Sequence, residues 1–369
     1  MSTTMRVLFV GLALSLTACS SRVSGGPIGV CTPGSSVVST TAPVKGAAAG
    51  QLSKVAVEMN VGEFRLLETK GYDRTLLDAC TSGHTVLEWS NRGYWDALRN
   101  EFHFVGQGHQ SCEKHLVYTE SSDSWTTATA PSFGGIGHGY EHNAMDPATG
   151  DMFYRGYNSK RIRKYSASSG VWSDIPAVPT GQIQCCGAIE YFPDMQGLIF
   201  VDSWAGVWLY EEQTNSWSQL AGGLLHGGGG DVAKSLGPYH NFATYHPTQK
   251  SVVFGGGNGS NAIFAVNARG EIDRLADSPA PLGIGSGILL PNPASCNFMA
   301  FYNDGQMYEL QMASNTWVSA GKHPIMRHAQ NWRVGAVLEP QSVFMFITYN
   351  FENSKVLLYK YGIGAADRK

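Results

Sequence analysis

Apolar and polar positions alternate along this chain in short runs, each closed by Gly, Asn, Asp or Pro. HLVY (115–118), IRKY (162–165), VWLY (207–210), AIFA (262–265) and MYEL (307–310) are such runs. Alternation of this kind predicts strands with one face buried. Seven residues beyond the last position of each run stand Trp125, Trp172, Trp217, Ile272 and Trp317, separated by 47, 45, 55 and 45 residues. Upstream, Asp146-Pro147, Phe192-Pro193, His246-Pro247, Asn292-Pro293 and Glu339-Pro340 each precede another apolar run, and Asp96-Ala97 holds the same place before FHFV. The repeating unit therefore reads strand a, x-Pro turn, strand b, Gly/Asn loop, strand c, turn, strand d. Four strands at this period make one blade of a β-propeller.

The last unit supplies only three strands: RVGAVL, VFMFIT and KVLLYKY. Its fourth is expected from the other end of the domain, where GEFRLL (62–67) has the strand-d form of GEIDRL. A first strand completing the last blade leaves the ring without open edges. The expectation is an all-β ring of six blades over residues 53–363, or seven if residues 66–95 hide a degenerate one. Residues 364–369 are a tail.

The repeat resembles the kelch-type β-propeller, with glycines after strand b, a Tyr on strand c and a Trp on strand d. The doubled glycine is intact in FGGGNGS (254–260). The Trp and Tyr columns are expected to pack blade against blade rather than to bind ligand.

Composition supports this picture and narrows the partners. Charged residues are 15% of the chain, against 44 Gly and 11% aromatics, as suits short strands and tight turns. The net charge is −3 and no basic cluster stands out, which argues against a nucleic-acid partner. At the N-terminus Arg6 precedes an apolar run, Val7 to Leu16, too short to span a bilayer and of signal-peptide form. It ends in Leu16-Thr17-Ala18-Cys19, which resembles the lipobox of bacterial lipoproteins. The resemblance implies cleavage after residue 18, lipidation (as by palmitate) of Cys19 and, with Ser20 following, an outer-membrane anchor. Residues 20–52 are rich in Ser, Gly, Ala and Thr and read as a flexible tether. Cys31, Cys80, Cys112, Cys185, Cys186 and Cys296 remain, free to form disulfides in an oxidising compartment, with the pairing open. A monomer is expected.

In a propeller the innermost strand lines the hub. Counting back seven residues from the x-Pro turn gives Ser90, Tyr140, Cys186, His240, Ser286 and Arg333, a polar column above apolar ones. The b–c loops add His109, Arg155 with Tyr157, Asp202 with Trp204, Asn258, Asn303 and Tyr349. In blade 2, His138, Tyr140 and His142 are spaced by two, which on a strand puts them on one side. Arg clamps carboxylates through paired donors, His titrates near neutrality, and Tyr supplies a phenolic proton. A clamp, a base and an acid are what β-elimination from a uronate glycan requires.

The order of His, Tyr at a strand start and Arg on the next loop is similar to the propeller-type ulvan lyases. That resemblance implies His109 and Tyr140 as base and acid and Arg155 on the uronate carboxylate, with His84 or His142 as a second imidazole. The expected ligand contacts are His138, Tyr157, Trp204, His240 and Arg333. The blade count and loop spacings depart from that family. No cofactor is expected on this reading. A metal centre is the alternative: Zn held by His109, His138, His142 and His240, or copper beside a Tyr140–Cys186 crosslink. The remaining alternative is a non-catalytic lipoprotein that binds a glycan or a protein with its rim, through residues 220–237 and Trp204. No phosphate-binding G-x-x-x-x-G-K-[ST] loop occurs.

Overall fold

The computed structural model describes residues 50–80, 83–109, 112–134, 137–224, 230–325, 332–350 and 354–362. The signal run, Cys19 and most of the tether lie outside them, as do the tail and the glycines at 227–229.

Within the described residues the strands form six four-stranded antiparallel sheets. Blade 1 begins at Tyr94–Asp96, blade 2 at Asn143–Met145, blade 3 at Ala188–Phe192, blade 4 at Asn241–His246, blade 5 at Gly287–Asn292 and blade 6 at Trp332–Leu338. These first strands lie side by side in a closed circuit around the hub. Apolar side chains on both faces of strands a and b bury there: strands Gly197–Asp202, Ser251–Gly256 and Asn297–Tyr302 are buried at every position. That leaves strand d exposed at the perimeter.

The ring closes as the sequence predicts. Phe64–Leu67 pairs antiparallel with Lys355–Lys360, Phe64 facing Tyr359 and Leu67 facing Val356. Between Leu67 and Tyr94 the described residues form no seventh blade. They hold a short helix, Arg74–Leu77, whose N-cap Asp73 accepts from the Leu76 amide, and an isolated Asp78–Thr85 bridge. Helix Gln51–Glu58 begins inside the segment assigned to the tether. Leu52, Val55, Ala56 and Met59 recur at helical spacing and bury against the core between blades 6 and 1. Its first amide, Gln51, donates to the Asp123 carboxylate of blade 1 at 2.9 Å.

The Trp and Tyr columns pack as expected. Tyr118 faces Trp125, Tyr165 faces Trp172, and Tyr210 faces Trp217 across strands c and d, with rings 5.2–5.3 Å apart. Each Trp also reaches back to the chain before its blade. The indole Nε1 of Trp172 donates to Thr129 O, that of Trp217 to Pro176 O, and that of Trp317 to Ala276 O. Blade 4 departs from this register. Ile272 faces Val266 rather than Ala265, because Asn267 and Glu271 close a turn one residue shorter, with Gly270 left-handed.

Candidate functional site

Each blade sends a residue to one mouth of the hub, from just before or at the start of its first strand. They are Trp89, Tyr140, the Cys185–Cys186 pair, His240, Ile284 and Trp332. Trp89 lies flat against His240 at 5.3 Å and tilted against Trp332 at 5.3 Å. Tyr140 stacks on His240 at 5.9 Å and on Tyr157 at 6.0 Å. Tyr140, Cys186 and Ile284 form one buried cluster, with Trp89 and Cys185 packed against it. Tyr157 and Tyr239 are the exposed aromatics beside it.

The backbone at this mouth is unusual. Trp89, Tyr140, Tyr239 and His240 all have left-handed φ, +42° to +56°. For bulky residues this costs on the order of 1 kcal/mol or more each, and such strain gathers at binding and catalytic sites. It also corrects a premise: His138, Tyr140 and His142 do not share a strand face, because strand a starts only at Asn143. The turn through Tyr140 still brings its ring to 5.4 Å from His138 and 5.0 Å from His142.

A polar cluster flanks the aromatics. His109 Nδ1 lies 3.2 Å from His138 Nε2. His84 Nδ1 lies 3.0 Å from a Glu88 oxygen, and the other Glu88 oxygen is 3.7 Å from His138 Nδ1. Burial, then the neighbouring His109, drives His138 down to about 3, so the ring is neutral at physiological pH. The Tyr140 phenol is raised by burial and stays protonated.

Arg155 sits elsewhere than the elimination reading requires. Its side chain is 0% exposed and points beneath the mouth. Nε donates to Ser159 O at 2.9 Å, Nη1 to His142 Nε2 and Gly187 O at 2.9 Å each and more weakly to Cys185 O, and Nη2 to Gln184 O at 2.6 Å. Its face lies over the Phe200 ring. Burial lowers it to about 10, so it remains a cation at neutral pH. Arg333 is likewise turned inward, donating to Ile325 O, Phe301 O and Asn303 Oδ1. Trp204 is half-buried on its own loop, where Asp202 caps the Trp204 and Ala205 amides.

Below the mouth the hub is stoppered by groups from blades 1, 3 and 5. Arg92 Nη2 meets Glu190 Oε2 at 3.1 Å, Tyr94 donates to the same oxygen at 2.8 Å, and Arg92 Nη1 reaches Leu289 O. Asn91 Nδ2 donates to Gly287 O, and Glu141 lies buried alongside with Oε2 unpaired. The sequence suggested an apolar layer at this depth. The signal against it was Glu190, a lone acid inside the apolar strand AIEYF. These buried groups lie under the aromatic cluster of the mouth.

The structure brings His109, His138, Tyr140, His142, Tyr157 and His240 together and holds Arg155 and Arg333 under the surface. Trp89, Trp332, Glu88 and Cys185 are additional. Trp89 and Trp332 each precede a residue of the predicted column, Ser90 and Arg333, and a one-residue slip reverses the face a side chain takes. The imidazoles do not make a common shell for a metal: His142 Nε2 is occupied by Arg155, and no three His, Cys, Asp or Glu among the described residues converge for one. Cys186 is bonded to Cys185 and so has no free sulfur for a Tyr140 crosslink.

No known family profile matches this sequence, and no curated relative does. Among solved structures it is similar to a structural-genomics protein of unknown function from Bacteroides thetaiotaomicron VPI-5482, at 11% identity and a TM-score of 0.50, over 80% of this chain and 75% of that one. It is also similar to a chain of a nidogen/laminin complex, at 12% identity and a TM-score of 0.47, over 63% of this chain and 80% of that one. At 11% identity the first likeness shows the fold alone, a β-propeller.

Proposed function

We propose that the hub mouth is a carbohydrate-binding site that takes sugar rings on its aromatic surfaces. The observation that carries this reading is the aromatic cluster at the mouth. Side chains from all six blades gather around Trp89, Tyr140 and His240, with the polar groups of Glu88, His84, His109 and Asn258 beside them. Apolar faces set among a few oriented polar groups suit a ligand that is apolar on its ring faces and hydroxylated at its edges. Isothermal titration against soluble hexasaccharides of glucose, of mannose and of a uronic acid tests it. Binding that also quenches tryptophan emission is the expected result. Heat of binding from none of the three overturns it.

Uronate elimination is the second reading, favoured by the contacts of Tyr140 with His138 and His142. Its weakness is the clamp. Arg155 and Arg333 are both buried with their donors directed at internal carbonyls and at the side chains of His142 and Asn303, so a substrate carboxylate at the mouth meets neither. Growth of unsaturated-uronate absorbance with an acidic polysaccharide would restore it.

The lipobox-like Leu16-Thr17-Ala18-Cys19 supports an exported, lipid-anchored protein, and the two disulfides among described residues, Cys80–Cys112 and Cys185–Cys186, suit an oxidising compartment. Mass analysis of the mature N-terminus tests this. A diacylglyceryl-modified Cys19 is expected, and an unmodified, uncleaved N-terminus refutes the anchor.

A further inference from the structure

We propose that the Cys185–Cys186 disulfide is itself a ligand-contact plate in the floor of the mouth, packing against the C–H face of a pyranose ring. The proposal rests on the carbohydrate reading and specifies which surface the sugar meets. Adjacent side chains on an extended chain point to opposite faces. Joining the two sulfurs cancels that alternation and turns both side chains to one side as an eight-membered ring. The bridge carries polarizable sulfur and, unlike two thiols, no S–H donor. It lies in the apolar cluster with Tyr140, Ile284 and Trp89; Cys186 is 2% exposed and Cys185 half-buried, so the Cys185 side is the part of the bridge offered to a ligand.

The backbone beneath it is tied down from several directions. Gln184, Cys185 and Gly187 all give their carbonyls to Arg155. The Gln184 amide donates to Asp202 Oδ2 at 2.7 Å, and its side chain donates to Ser203 Oγ at 2.6 Å. Arg155 is therefore a positioning residue for the plate. Holding a contact surface rigid before binding removes the ordering cost of association.

The test uses the whole folded protein and whichever of the glucose, mannose or uronate hexasaccharides binds it. Free and saturated protein are exposed to a phosphine reductant, the opened thiols are alkylated, and each bridge is followed by peptide mass. At ten times Kd the free fraction falls about tenfold, and opening of Cys185–Cys186 is expected to slow by about that factor. Cys80–Cys112 reports any general stabilisation and should slow less. In parallel, the Cys185→Ser/Cys186→Ser protein, checked for an unchanged melting profile, should bind about tenfold more weakly. Sugar binding that leaves the Cys185–Cys186 opening rate unchanged, or slows both bridges alike, overturns the plate while leaving the carbohydrate reading intact. Absence of binding by all three hexasaccharides overturns that reading and the plate with it.

Discussion

The Arg155 guanidinium donates to His142 Nε2 across 2.9 Å. Since a guanidinium has no acceptor, Nε2 must carry the lone pair, and the ring proton sits on Nδ1. Burial and then the adjacent cation hold the imidazole well below its usual range. His142 and Arg155 thus behave as internal scaffolding that shapes the turn through Tyr140 and the floor at Cys185.

This gives Arg155→Lys a stability signature. A lysine reaches at most part of the ring of carbonyls from Ser159, Gln184, Cys185 and Gly187, and buried acceptors are left unpaired. Urea unfolding should show a loss of about 3 kcal/mol. Ligand affinity should fall as well, because the plate loses its support. A surface clamp would behave in the opposite way, with stability unchanged and only affinity or turnover reduced.

The mouth aromatics should separate binding from folding. Tyr157 is 39% exposed, so Tyr157→Ala removes little packing. A lost stacking face is worth about 1–2 kcal/mol, so affinity should drop about tenfold with an unchanged melting temperature. Trp89→Gly relieves the left-handed backbone at +49° while deleting the indole. Titration calorimetry should then show weaker binding in a protein at least as able to adopt the turn.

Much of the wheel was legible because its signals are local and repeated. Trp125, Trp172, Trp217 and Trp317 mark strand d by type and spacing, the x-Pro turns mark the end of strand a, and GEFRLL announces its partner by likeness to GEIDRL. The site was legible only as a place. His109, Tyr140 and His240 were expected at the mouth and are there. The aim of Arg155 was not readable, because three of its acceptors are carbonyls of the next blade, some 30 residues away. Arg92 and Glu190 are 98 residues apart in the chain and meet only across the hub. The Cys185–Cys186 bond is local, but no pattern of neighbouring residues announces which sulfurs pair. Blade 4 hid a one-residue change in turn length, which composition does not reveal.

The indole staples give a third measurement. Trp317 Nε1 donates to Ala276 O at 3.0 Å, joining blade 5 to the chain leaving blade 4. Trp317→Phe keeps most of the apolar area and leaves that carbonyl without its donor. A loss of about 1 kcal/mol is expected in chemical unfolding, and a similar loss for Trp217→Phe, whose donor serves Pro176 O. Ile272→Phe in blade 4 breaks no such bond and should change stability less than either.

The buried stopper sets the pH dependence of folding. Burial raises Glu141 to about 8 and Glu190 to about 7, the latter against the pull of Arg92. The folded state therefore binds these protons more tightly than the unfolded chain, whose carboxyls ionise near 4.5. Their contribution to stability is complete below that value and is lost as pH rises towards 8. The buried histidines act in the other direction. Burial lowers His115 and His138 to about 3 and His246 to about 4, so stability grows as pH rises from there through the ordinary imidazole range near 6.5. The two trends place maximum stability near pH 6.5, with an alkaline decline owed to the carboxyls. Glu141→Gln copies the protonated acid without its titration. Its unfolding free energy should match the parent at pH 4 and exceed it at pH 8.5, and parallel curves for the two proteins across that span would remove Glu141 from the alkaline limb.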